Sequence, residues 1–205
     1  MIMRRSARIE RRGFTLVELM IVVAIVGVLA SLALYVGVAR YLASAKTAEA
    51  KYVLGAIARG AALAYERETA ISEVLPEGNT ATVMSHALCK TAVPVPSSLA
   101  SVKGTAYQPN SAPGVDFMTG DVQTGWSCLQ FSMNDPIYYQ YTYTKGASAI
   151  AAGTAVVNAN GFEAGAQGDL NGNGIPGQFA VTGEVNPATG IVRIVSQLYI
   201  NNEFE

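Results

Sequence analysis

From Phe14 to Ala39 the chain runs FTLVELMIVVAIVGVLASLALYVGVA, 26 residues with one charge, Glu18, and no proline. As an α-helix this stretch spans about 39 Å, more than the roughly 30 Å of a bilayer's hydrocarbon core. Leu16, Val17, Leu19, Met20, Ile21, Val22, Val23, Ile25, Val26, Val28 and Leu29 surround the helix. A helix apolar on every side is buried in lipid or in other helices. A membrane span is therefore predicted. On its N-terminal flank Arg4, Arg5, Arg8, Arg11 and Arg12 are opposed only by Glu10, and a basic flank stays on the cytoplasmic side.

Three accounts of such a segment compete. A cleaved secretory signal would use Ala43-Ser44-Ala45 as its small-residue cleavage site, but its apolar run is usually about 7–15 residues. A plain membrane anchor fits the length and leaves Glu18 unexplained, since an acid in a membrane helix costs on the order of a few kcal/mol unless it lies near an end or is paired. A third account comes from the boundary itself. The sequence RRGFTLVELMIVVAIVGVLAS has a short basic leader ending in Gly13, then Phe14, with Glu18 as the fifth residue after that glycine.

Residues 8–40 closely resemble the type IV prepilin signature shared by type IV pilins and type II secretion pseudopilins. The resemblance implies that a membrane peptidase cuts between Gly13 and Phe14 on the cytoplasmic side and methylates the new amino terminus. The apolar helix is then retained. One departure is visible: where pilins commonly carry a proline in mid-helix, this chain has Tyr35. Gly27 and Gly37 are the residues left to loosen the helix there, glycine disfavouring helix by about 1 kcal/mol relative to alanine.

The same resemblance implies an assembly mechanism. Glu18, leaving the bilayer for a packed filament core, requires a partner, because an unpaired buried charge is strongly unfavourable. That partner is expected to be the Phe14 amine of a neighbouring copy, and the pairing would set axial register. The partners implied are copies of the chain itself, the prepilin peptidase, the assembly machinery of the inner membrane and, before assembly, lipid. The location implied is a single-pass inner-membrane protein with an exported head, then an extracellular pilus. The leading expectation is a structural pilus subunit supporting adhesion, twitching motility or DNA uptake. The alternative is a type II secretion pseudopilin or a minor pilin.

Beyond Arg40 the sequence has no proline up to Glu68, and Ala50, Val53, Leu54, Ile57, Ala61 and Ala64 recur at helical spacing, with Glu49, Arg59 and Glu66 off that stripe. One helix from Thr15 to Glu68 is predicted, the competing possibility being a break near Gly37. Residues 73–113 hold five of the eight prolines and read as an irregular connection, with a short helical turn at Ser85–Thr91. Aromatic and β-branched residues predict strands at Trp126–Met133 and Ile137–Thr144, separated by Asn134-Asp135-Pro136. Ile137, Tyr139, Tyr141 and Tyr143 share one face, read as packing on the helix. Strands at Gly177–Glu184 and Ile191–Ile200 flank the turn Asn186-Pro187-Ala188-Thr189-Gly190. The fold class is α+β: a long N-terminal helix packed on a C-terminal antiparallel sheet, the pilin arrangement. Its segments are a leader (1–13), a membrane or filament-core helix (14–39), an amphipathic continuation (40–68) and a head (69–205).

Export would place Cys89 and Cys128 in an oxidising compartment, where a disulfide is the natural expectation. The bond would be worth roughly 4 kcal/mol in the chain-entropy picture; the competing reading is two buried thiols. Gly168–Gly174 reads GDLNGNG, in which Asp169, Asn171 and Asn173 have the spacing of the first three oxygen ligands of a calcium loop. The twelfth position is Ala180 rather than a bidentate glutamate, so Glu163 or Glu184 would have to supply a carboxylate. A tight glycine-rich turn explains the same residues. No cofactor other than calcium is suggested. Fourteen basic against fifteen acidic residues offer no electrostatic footprint for nucleic acid. The single histidine, His86, and the lack of zinc-spaced clusters or phosphate-cradling loops leave no catalytic constellation. A non-enzymatic protein is expected.

Overall fold

The computed structural model describes residues 13–70, 84–150 and 157–205. The leader through residue 12 and the first part of the proline-rich connection, residues 73–83, lie outside them. Helix α1 runs Leu16–Glu66, 51 residues, with no break at Gly37. The chain divides into two compact units, Met1–Leu42 and Ala43–Glu205.

In the first unit every side chain described from residue 13 to 42 is exposed. The span Leu16–Leu34 is long and apolar enough to cross a membrane.

The second unit begins with the remainder of α1. Its stripe of Ala50, Val53, Leu54, Ile57, Ala58, Ala61 and Ala64 is buried, as the helical spacing requires. Arg59 and Glu66 are exposed. Glu49 departs from the expectation: it is half-buried, and its carboxylate accepts the Tyr141 hydroxyl at 3.0 Å.

Five strands form an antiparallel sheet: β3 (Gln140–Lys145), β4 (Gly161–Gly168), β5 (Gly177–Val185), β6 (Val192–Ile194) and β7 (Tyr199–Asn201). Their order is β3-β4-β5-β6, with β7 also paired to β5. A separate two-stranded pair, β1 (Glu68–Ala70) and β2 (Met84–His86), follows α1. Register explains the composition of the sheet. Tyr141 and Tyr143 of β3 lie opposite Ala166 and Ala164 of β4, so large side chains sit beside small ones. Ile137, Tyr139, Tyr141 and Tyr143 are all fully buried in the cluster that contains the α1 stripe.

The other face of the sheet is covered around Gly165. At Gly165 an added Cβ would lie 2.4 Å from Ile150 Cδ1 and 2.6 Å from Thr142 Oγ1. Buried Glu163 holds that covering segment by accepting N–H bonds from Ala149 at 2.9 Å and Ile150 at 2.7 Å, and the Ser148 hydroxyl.

Four expected elements are corrected. The strand expected at Trp126–Met133 is instead a short helix, α2 (Gly125–Leu129), ended by Gln130 in a left-handed conformation. Residues 125–131 contain no β-branched side chain, and the helix turns Trp126 and Leu129 inward together, both buried. The strand expected from Ile137 begins at Gln140, while Ile137 forms an isolated bridge with Tyr107. The helical turn expected at Ser85–Thr91 is absent: β2 ends at His86, and the chain then lies extended, bridging Lys90 to Thr124 and donating Ala92 N–H to Tyr143 O at 2.9 Å. The strand expected at Ile191–Ile200 splits into β6 and β7, both on β5.

Candidate functional site

Before α1, Gly13 and Phe14 are exposed, Phe14 by 82 %. Thr15 and Glu18 close the helix end reciprocally. The Thr15 hydroxyl accepts the Glu18 N–H at 3.2 Å, and the Glu18 carboxylate accepts from the Thr15 N–H at 3.4 Å and from its hydroxyl at 3.3 Å. This is a capping box, which satisfies donors that a helix start leaves unpaired. A carboxylate in the first turn also meets the positive end of the helix dipole. The pattern Thr-x-x-Glu was visible in the sequence, yet sequence reasoning gave Thr15 no part. The one other polar side chain in the Leu16–Leu34 span, Ser31, donates its hydroxyl to Val28 O at 2.7 Å. In lipid that bond removes the cost of an unsatisfied hydroxyl.

Residues 10–34 match the family model described as the prokaryotic N-terminal methylation motif. It is the type IV prepilin-type processing signature. The methylation motif covers the leader's end, the capping box and the apolar span, and it supports membership among type IV pilins or type II secretion pseudopilins, which are structural, polymer-forming proteins. No curated protein and no solved structure matches the chain.

Downstream of the methylation motif, Cys89 and Cys128 form a disulfide with Cα atoms 5.9 Å apart. It joins the segment after β2 to α2. Trp126 of the same helix donates its indole N–H to Val93 O at 2.8 Å.

Asp169, Asn171 and Asn173 come together as a turn closed by its own hydrogen bonds. Asp169, only 3 % exposed, accepts N–H bonds from Gly172 at 2.7 Å, Asn173 at 3.1 Å and Gly174 at 2.7 Å. The Asn171 and Asn173 side-chain oxygens accept from Asn173 and Ile175 N–H, at 2.9 and 2.6 Å. Glu163 and Glu184 are engaged elsewhere, Glu163 by residues 148–150 and Glu184 by Asn158. The carboxylate that reaches this turn is Glu205, which accepts from both asparagine amides. Sequence separation hid it, since residues 171 and 205 meet only through the folded sheet. The ammonium of Lys103 also stands near, 3.7 Å from where a Gly174 Cβ would lie. Among the described residues no group of three or more His, Cys, Asp or Glu side chains converges on a metal position.

Proposed function

We propose that this chain is the structural subunit of a surface type IV pilus. The prepilin peptidase removes the leader between Gly13 and Phe14 and methylates the Phe14 amine. The subunit waits in the inner membrane, then exchanges lipid for helix contacts as the assembly machinery packs copies into a filament. The head stays outside the membrane, where such filaments support adhesion, twitching motility or DNA uptake. The chain is a substrate of processing enzymes rather than an enzyme.

One observation carries this reading: the single acid of the apolar span sits in the first helical turn, four residues after Phe14, inside the methylation motif. In a filament core, that carboxylate and a neighbour's amine neutralise each other, and only one axial offset brings them together. The capping box allows the charge to be tested apart from the helix end, because glutamine also serves as the reciprocal cap. Glu18→Gln is expected to leave cleavage and membrane insertion intact and to abolish long filaments, as does Glu18→Ala. Electron microscopy of sheared surface material reads the outcome. Normal filaments from Glu18→Gln would overturn the charge pairing, and a wild-type chain confined to the periplasm would mean a pseudopilin.

A further inference from the structure

Within the head, a cleft of about 290 Å³ opens between the end of α1 and the turn that joins β5 to β6. Tyr65 and His86 form one wall, their rings in tilted contact at 5.7 Å. His86 Nδ1 lies 2.9 Å from the Tyr65 carbonyl. A carbonyl oxygen can only accept, so Nδ1 carries the proton and Nε2 is left for another partner. Lys145, at the end of β3, donates to Leu88 O at 3.4 Å, which uses one of its three donors. It has no carboxylate partner among the described residues. The opposite wall carries Asn160 and Asn186. Asn186 spends its side-chain oxygen on the Ala188 N–H at 2.9 Å and keeps its amide donors. Asn160 uses its backbone N–H on Asn158, at 3.0 Å, and its carbonyl on Val185, at 2.9 Å, while no described group bonds its side-chain amide. None of the described lining residues is acidic.

This combination selects its ligand. An ammonium without a carboxylate calls for an anion. Two planar amides and an imidazole nitrogen suit hydroxyl groups, and an aromatic wall suits the apolar face of a ring. The volume lies at the small end of ligand sites, which run from roughly 300 to 1,000 Å³, and it suits one sugar unit. We propose that the cleft binds a hexuronic acid unit of an acidic polysaccharide, with its carboxylate on Lys145 and its hydroxyls on Asn160, Asn186 and His86. A bare carboxylate would leave the amides unused.

The test titrates D-glucuronate into the full-length chain in detergent micelles, read by saturation-transfer NMR, with D-glucose and acetate as controls. Glucuronate is expected to bind saturably, with glucose and acetate weaker by about tenfold or more. Lys145→Gln and Asn160→Ala are each expected to weaken glucuronate about tenfold, equal to about 1.4 kcal/mol. Asn160→Ala removes an exposed side chain and should leave the melting midpoint unchanged. The proposal is overturned if glucuronate does not saturate, if acetate binds as well as glucuronate, or if binding survives both substitutions. The test uses unassembled chains, so its failure leaves filament assembly untouched.

Discussion

Glu18 closes the start of its own helix in the single chain, and a neighbour's amine is its proposed partner in the filament. Thr15 therefore stabilises the helix start in the single chain, a role that the acid alone would not reveal. Deeper in the head the tyrosine row shows how unequal similar residues are. Tyr141 donates to Glu49, whereas the buried Tyr139 hydroxyl has no hydrogen-bond partner among the described residues. Burial pushes the hydroxyls of Tyr139, Tyr141 and Tyr143 well above the ordinary tyrosine range, so all three stay neutral. Desolvation likewise raises the Glu49 carboxyl above its ordinary 4.5, opposed in part by the Tyr141 bond. A raised carboxyl binds its proton more tightly in the folded state. Its contribution therefore favours folding below the ordinary value and is lost as pH rises through the folded value. Tyr139→Phe removes an unsatisfied hydroxyl and is expected to be neutral or stabilising by about 1 kcal/mol. Tyr141→Phe strips a partner from a half-buried carboxylate and is expected to cost about 1–3 kcal/mol. Denaturant unfolding at neutral pH compares them, and equal losses would contradict the assignment.

Helix α1 and strand β4 both place glycines where another segment comes close. At Gly60 an added Cβ would meet the Leu129 carbonyl at 2.6 Å, so α1 passes directly against the end of α2. At Gly55 an added Cβ would meet, among the described residues, just the flexible Arg59 side chain at 3.6 Å. Gly55→Ala is thus expected to stabilise the head by up to about 1 kcal/mol through helix propensity. Gly60→Ala forces the two helices apart and is expected to destabilise it by about 1–3 kcal/mol. Thermal melts distinguish them, and a stabilising Gly60→Ala would contradict the close approach. Such constraints also explain what the sequence could show. The buried face of α1 and the inward tyrosines follow from periodicity, and β5 with its Asn186–Gly190 turn follows from composition. Strand β4, GFEAGAQG, escaped notice because it has three glycines and no β-branched residue. Its small residues make sense only once Ile150 and Tyr139 are seen crowding Gly165 and Gly168. Residues 125–131 misled through their aromatic content, and the Glu205 contact and the cleft depend on long-range pairing that no local pattern encodes.

Taken whole, the chain combines an exposed apolar segment with a second compact unit that has a buried core. The head has its own core, a disulfide and an ion pair between Lys51 and Glu203 that ties the chain's last residues to α1. The apolar side chains described from Phe14 to Leu34 are exposed, and such a surface is covered by lipid or by other copies. In the proposed function that requirement links the methylation motif to filament building, because processing before Phe14 would keep the helix and create the amine proposed as the partner of Glu18. Intact-mass and N-terminal peptide spectrometry of the chain, purified from cells that contain the prepilin peptidase, tests the link most directly. The account predicts a mature chain that begins at Phe14 and carries a methyl group on its amine. A chain that begins after Ala45, with the apolar helix discarded, would contradict it.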